Sequence, residues 1–257
     1  VLALAATLFA AGWTLLRARR RNRRLEWSST TDILTGLANR RAATRRLDAL
    51  PGSAGSGDTR AALLLVDIDH FKAINDEFGH DEGDRVLVAI SRCLQLACDA
   101  NDVVARWGGK EFLIVRPRTT QAAARALAEH LRTAVEQLAI PLQDGQSTSV
   151  TVSIGLAPCP YFPGPAGWHD GIRMADRALY AAKYSGRNAW AGTWGEPAGQ
   201  HVDVYSVRQD PEAALANGWI SVSGSRPIAW QASRADRAER TAGSIGTGHR
   251  LHAGRAP

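Results

Sequence analysis

The chain has 257 residues, enough for one domain of about 150 to 200 residues with additional segments. With 45% apolar and 22% charged residues it has the composition of a globular protein, and its net charge of +6 and pI near 9.7 suggest nucleic-acid binding. Six arginines between positions 17 and 24 account for that excess, so the rest of the chain is near neutral and nucleic acid is not expected as a partner.

The first 31 residues have the pattern of a membrane anchor. Residues 1–16, VLALAATLFAAGWTLL, carry no charge and as a helix would span ~24 Å, slightly less than a hydrocarbon core of ~30 Å. Because the arginines follow the apolar run, we predict a transmembrane helix over 1–16 and a basic juxtamembrane connector over 17–31. The next domain would lie on the cytoplasmic side of the inner (plasma) membrane. A core helix followed by a basic surface is the alternative.

The chain begins at Val1, without a methionine. We therefore expect that the start of the anchor is missing and that a sensor region precedes it.

The next elements alternate between helices and strands. Residues 39–50 are predicted to form a helix, and 51–58 a flexible loop. The run AALLLVDID, residues 61–69, is short and almost wholly apolar, which indicates a strand buried on both faces. Asp67 and Asp69 stand at its end.

The second half of the domain continues this alternation. DVVAR and EFLIV flank Gly108 and Gly109, which indicates a hairpin. Residues 147–155 alternate strictly and predict a half-buried strand. Helices are predicted near 83–97, 120–139 and 170–184, with Gly186 as the C-terminal cap of the last. This order of elements predicts a layered α/β domain.

Residues 192–257 show no sustained period and are rich in Gly, Ala, Ser and Arg, which favours a low-complexity, mostly disordered tail. Trp194, Trp219 and Trp230 leave room for a small docking element. Three cysteines without metal-ligand spacing are expected to be buried, reduced thiols.

Several charged residues suggest a phosphate and metal site. Two aspartates at a strand end are the type of oxygen ligand that Mg²⁺ prefers, but by themselves they are weak evidence, and a solvated turn is the alternative. Lys72, Lys183 and Arg187 could neutralise phosphates, and each alone is also an ordinary surface charge. Only the combination of these residues would indicate a phosphate and metal site.

Five blocks of sequence supply that combination. DILTGLANRR (32–41), DIDHFKAINDEFGHDEGDRVL (67–87), RWGGKEF (106–112), SIGLA (153–157) and ADRALYAAKYSGRN (175–188) occur in this order. They resemble the signature blocks of the GGDEF family of diguanylate cyclases, with a variant GGKEF signature, and the resemblance covers residues 32–191. It implies a five-stranded central sheet flanked by helices, related to nucleotide-cyclase and polymerase palm domains. The implied reaction converts two GTP into cyclic di-GMP and two pyrophosphates at the interface of a homodimer.

The resemblance also implies roles for individual residues. Asp67 and the backbone carbonyl of Ile68 match ligands of Mg²⁺ (or Mn²⁺). Asn75 and Asp84 match the residues that recognise guanine. The residues that match contacts to the GTP phosphates are Lys72, Gly108, Gly109, Lys183 and Arg187.

Two positions depart from the family pattern. The third signature residue is normally Asp or Glu, which binds metal and helps to activate the attacking hydroxyl; here it is Lys110. The Arg-x-x-Asp motif of the product-inhibition site is replaced by Asp99 to Asp102, so that only Asp102 is retained.

Replacing a carboxylate by an ammonium changes the local charge from −1 to +1 beside the expected metal ions, so metal occupancy and turnover should fall. Glu111 could compensate, but neighbouring strand residues ordinarily point to opposite faces. The first hypothesis is therefore a domain that binds GTP and cyclises it poorly or not at all. The alternative is an active cyclase that uses Glu111 or a shifted metal and lacks product-inhibition control.

Overall fold

The structure, a computed structural model, describes residues 30–50, 60–143, 145–162, 167–199 and 201–230. The predicted transmembrane helix over 1–16 and nearly all of the connector over 17–31 lie outside these residues. Within the described ranges, no helix has the length and apolar character needed to cross a membrane.

The strands form one mixed sheet and one small ladder. They are β1 (Ala38–Asn39), β2 (Arg60–Ile68), β3 (Val103–Gly108), β4 (Glu111–Thr119), β5 (Ile140–Pro141), β6 (Ser147–Thr148), β7 (Val152–Cys159), β8 (Trp190–Gly195) and β9 (Ile220–Gly224). The sheet has seven strands in the order β1-β3-β4-β2-β7-β8-β9, and β5 pairs with β6 separately. Strand β2 is antiparallel to both β4 and β7, which places it at the centre.

Helices cover both faces of the sheet. They are α1 (Arg40–Asp48), α2 (Phe71–Phe78), α3 (His80–Ala97), α4 (Gln121–Glu136), α5 (Trp168–Tyr184), α6 (Val204–Gln209) and α7 (Pro211–Ala216). Leu63 and Leu65 of β2 join the core beneath α1 and α5, whereas Leu64 and Val66 join the core beneath α3 and α4. The prediction that this strand is buried on both faces is therefore confirmed.

The expectation of a five-stranded sheet is wrong, because the sheet has seven strands. The two additional strands lie at its edges, with the two-residue β1 beside β3 and β9 beside β8. Strand β8 is buried at every position, and pairing with β9 satisfies backbone groups that an open edge would leave unpaired.

Strand β9 comes from the segment that the sequence predicts to be disordered. The structure instead orders residues 192–199 and 201–230, which include most of β8 and all of α6, α7 and β9. The rest of the predicted tail, residues 231–257, lies outside the described residues. Trp194 and Trp230 provide the reason, since they are only 4% and 7% exposed and pack into the two cores.

The prediction of a half-buried strand over 147–155 also needs correction. The long strand β7 begins at Val152, and all eight of its residues are buried. Residues of α4 and α5 cover its two faces, so the polar alternation in the sequence does not reflect exposure to solvent. The buried hydroxyl of Ser153 instead donates a hydrogen bond to Asp69.

The three cysteines are free thiols, with Cys159 buried and the other two half-buried. Burial raises the pKa of the Cys159 thiol to about 11. Burial, followed by the charge of Asp102, raises the pKa of Cys98 to about 12.

Candidate functional site

The site lies where β2 ends beside the β3–β4 hairpin. Asp67 is 2% exposed and stands directly opposite Glu111 in the antiparallel β2–β4 pair. Gly108 pairs with Glu111, so that Gly109 and Lys110 form a two-residue turn. The amide of Ile68 donates to the Lys110 carbonyl at 3.4 Å, which keeps the turn next to the end of β2.

The glycine turn has open space beside its backbone, and a hydrogen bond from Arg106 holds it in place. A Cβ atom at Gly108 or Gly109 would meet no atom within 4 Å, and Gly109 has φ +51°, a conformation that glycine adopts without strain. Backbone at such a turn can be approached closely by a phosphate, as the sequence predicts. Arg106 Nε donates to the Gly109 carbonyl at 2.9 Å and fixes the turn from beneath.

Arg106 is in turn held by Asp32, at 3.2 Å from Nη1 to Oδ1. Burial acts to raise the pKa of Asp32, but hydrogen bonds from Thr35 and the Arg106 guanidinium outweigh it and leave the pKa below its usual range. Sequence reasoning missed this pair as a support of the site. The available signal was that both residues lie within the signature blocks.

Lys110 points at the groups that match metal ligands in the family. Its Nζ lies 3.1 Å from the Ile68 carbonyl oxygen and 3.1 Å from Asp67 Oδ1. The approach to Oδ1 does not have hydrogen-bond geometry, so this buried oxygen has an ion-pair partner but no hydrogen bond. The ammonium therefore stands at the position where the family pattern expects a cation.

Lys183 completes the pairing of this carboxylate. Its Nζ, carried by the last turn of α5, lies 3.0 Å from Asp67 Oδ2. Both oxygens of the predicted metal ligand are thus in ion pairs with lysines. The side chain of Lys183 is 29% exposed, and its role as a phosphate contact stays a prediction.

These residues do not fit the divalent ions that the family implies. The carboxylate that the family pattern places at position 110 is absent, and the Lys110 ammonium already contacts the other two expected ligands, Asp67 and the Ile68 carbonyl. Among the residues that the structure describes, no cluster of three or more acidic, histidine or cysteine side chains could hold a metal.

Glu111 lies on the same side of the sheet as Asp67, contrary to the expectation that it points elsewhere. Lys110 belongs to the turn, so strand alternation does not relate it to Glu111, whereas directly opposed residues of an antiparallel pair share a face. Burial, and then the negative charge of Asp67, raise the pKa of Glu111. The carboxyl group is therefore near the site but poorly solvated.

Asp69, the other aspartate at the end of β2, supports the fold. It is 4% exposed and accepts hydrogen bonds from Thr151 Oγ1 at 2.7 Å, Ser153 Oγ at 2.7 Å and the Asn188 amide at 3.0 Å. These hydrogen bonds connect the start of β7 and Asn188 to the end of β2. They give the second aspartate of the pair a structural role that does not require a metal.

The predicted guanine-binding residues lie together on α2 and the start of α3. A Cβ atom at Gly83 would lie 1.9 Å from Asn75 Oδ1, so a glycine is needed beside Asp84 for the asparagine to occupy this position. A cavity of about 370 Å³ lies beside α3, and Asp84 is one of the residues that line it. Lys72 is exposed on α2.

Asp102, the retained residue of the degenerate inhibition motif, is used internally. Arg116 Nε donates to its carboxylate at 3.0 Å, and Nη2 of the same arginine lies 2.8 Å from Asp99 Oδ2. The side chain of Asp102 is 2% exposed, compared with 77% for that of Asp99. Asp102 therefore anchors β4.

Residues 29–189 match the family described as "Diguanylate cyclase, GGDEF domain". The chain belongs to the GGDEF family. This GGDEF chain is 35% identical over 181 residues to the probable diguanylate cyclase DgcC of Escherichia coli (strain K12), an alignment covering 69% of the chain and 48% of DgcC. It is 41% identical over 169 residues to the response regulator PleD of Caulobacter vibrioides (strain NA1000 / CB15N), covering 64% of the chain and 36% of PleD.

A solved structure shows the same fold. The coiled coil and GGDEF domain of DgcB from Caulobacter crescentus, in complex with c-di-GMP, matches with a TM-score of 0.66 and 32% identity. The match covers 72% of this chain and 96% of that one. The GGDEF chain spans less than half the length of the two curated relatives.

Proposed function

We propose that this chain is a membrane-anchored GGDEF signalling domain that binds GTP, and that Lys110 impairs the cyclisation of two GTP to cyclic di-GMP and two pyrophosphates. The observation that carries the proposal is the position of Lys110 Nζ, 3.1 Å from both the Ile68 carbonyl oxygen and Asp67 Oδ1. An ammonium in this place attracts the anionic triphosphate as a fixed positive charge.

Binding is expected to survive better than turnover. The open glycine turn, Lys183 and Arg187 provide phosphate contacts, and Asn75 and Asp84 provide polar groups for the base. Cyclisation needs more, because the 3′-hydroxyl of one GTP must lose a proton as it attacks the other. The ammonium group of Lys110 has only donor hydrogens and no lone pair with which to accept that proton.

One observation favours the alternative, an active diguanylate cyclase. Glu111 stands opposite Asp67 in register, and burial and the negative charge of Asp67 raise the pKa of its carboxyl group. A carboxylate in this place could accept the proton that the attacking hydroxyl loses. In this version, cyclic di-GMP would not inhibit through the family's product-inhibition site, because position 99 is Asp and Asp102 is paired with Arg116.

The proposal includes partners beyond GTP. Two copies facing each other are needed to join two nucleotides, so a homodimer through this domain is proposed, with an upstream sensor region and the membrane as further partners. No nucleic acid is proposed.

Substitution at position 110 tests the proposal. The full chain, Lys110→Glu and Lys110→Met are compared for cyclic di-GMP production with Mg²⁺ or Mn²⁺, and GTP binding is measured for each by calorimetry. We expect all three to bind GTP and only Lys110→Glu to produce cyclic di-GMP. The Met variant separates loss of the ammonium from gain of a carboxylate. Comparable turnover by the unmodified chain and Lys110→Glu would favour the active cyclase.

A further inference from the structure

The polypeptide after β9 runs beside the loop that carries Arg187. The Ala229 amide donates to Ser185 Oγ at 2.9 Å, and Arg226 Nη2 donates to the Asn188 carbonyl at 2.8 Å. Ser225 and Trp190 exchange two hydrogen bonds at 3.1 Å, one of them through the serine hydroxyl. Residues 225–229 therefore lie alongside residues 185–190. Residues 225–229 are beyond the family match, which ends at residue 189.

The Arg187 loop needs outside support because its backbone is strained. Arg187 and Asn188 have φ +60° and +42°, the left-handed region, in two consecutive residues that are not glycine. Such conformations are strained for residues that carry a Cβ atom, and they persist only where surrounding contacts hold them.

Asn188 provides most of that support, since each of its four polar groups has a partner. Its amide donates to Asp69 at 3.0 Å, and its side chain pairs with Arg132 at 2.9 Å and Glu136 at 2.6 Å. These three partners lie within the family match. The fourth group, the backbone carbonyl, is held by Arg226.

The segment that carries Arg226 is itself anchored to α5. Trp230 is 7% exposed and lies over the guanidinium of Arg177, 5.3 Å from the ring centre to Cζ. Arg177 also donates to the Arg208 carbonyl at 3.2 Å. The same helix carries Lys183 in its last turn.

We propose that Arg226 is a positioning residue of the GTP phosphate site, which would make the polypeptide beyond residue 189 part of that site. Its guanidinium acts through the Asn188 carbonyl to keep Arg187 in the left-handed conformation from which its side chain can reach a phosphate. The inference rests on the proposed binding of GTP at this site.

The test measures loop order and nucleotide affinity separately. Hydrogen exchange of a peptide covering residues 185–190, and the affinity for a fluorescent GTP analogue, are compared in the full chain, Arg226→Ala and Arg226→Lys. We expect Arg226→Ala to speed exchange in this peptide and to weaken binding about three- to tenfold, the effect of one typical intramolecular hydrogen bond. Arg226→Lys keeps a donor and should remain within about twofold of the unmodified chain.

Arg46→Ala is the matched control, because it removes an exposed arginine from α1, which packs on β3 near the other edge of the sheet. It should change neither measurement. Unchanged exchange in Arg226→Ala overturns the inference, and so does faster exchange with unchanged affinity. If the unmodified chain does not bind the analogue, the proposed function fails, while the exchange comparison still decides whether Arg226 orders the loop.

Discussion

At the scale of single residues, one ammonium group determines what this site can do. Lys110 contacts the Ile68 carbonyl and the Asp67 carboxylate, the two groups that match metal ligands of the family, and Lys183 pairs with the other oxygen of Asp67. The positive charge at this position therefore belongs to the Lys110 side chain, and no metal ion has to bind to supply it. Affinity for GTP should then depend little on divalent metal.

Chelation of metal tests this dependence. We expect EDTA to change the GTP affinity of the unmodified chain by less than about threefold, and that of Lys110→Glu by more than about tenfold, because the glutamate needs a cation between it and the phosphates. The measurement is a binding titration with excess Mg²⁺ or excess EDTA. A large loss of affinity in the unmodified chain would show that it retains a metal-dependent site.

Asp102 has become a structural residue, and its partner should matter for stability. Arg116→Ala leaves the buried carboxylate unpaired and should lower the free energy of unfolding by about 3 kcal/mol. Asp99→Asn removes only the exposed partner of the same arginine and should cost less than about 1 kcal/mol. Urea unfolding of both variants checks this, and similar losses would contradict the assignment of Asp102 as the anchor.

At the scale of elements, the long helices and the central strand were predictable because their apolar patterns are strong. The hairpin was predictable because two glycines separate two apolar runs. Strand β9 was not, because Ile220–Gly224 is short and its pairing with β8 joins residues about 30 positions apart. The Trp residues were the only signal of its docking.

Truncation at the predicted domain end tests the importance of β9. A chain ending at residue 191 loses most of β8, all of β9 and the buried Trp194 and Trp230, so its free energy of unfolding should fall by at least about 4 kcal/mol. Trp230→Ala in the full chain should lose about 3 kcal/mol. Unfolding followed by far-UV circular dichroism measures both losses. A truncated chain as stable as the full one would show that β9 does not contribute to the stability of the domain.

At the scale of the whole molecule, the proposed anchor places the domain at a membrane surface, where its copies would meet. The full chain should remain with membranes after an alkaline carbonate wash, whereas a chain starting at residue 25 should be released, because it lacks the apolar run and the arginine cluster. Release of the full chain would argue for the alternative that residues 1–16 belong to a protein core.

The sequence by itself determined the family, the α/β class and the exceptional lysine, because signature blocks and strong apolar periods are local patterns. Only the tertiary structure decided where the Lys110 ammonium lies, that Glu111 faces Asp67, and that Asp69 and Asp102 serve the fold. It also decided that residues beyond 189 hold the Arg187 loop. These facts depend on strand register and on contacts between distant segments, which no local pattern of residues encodes.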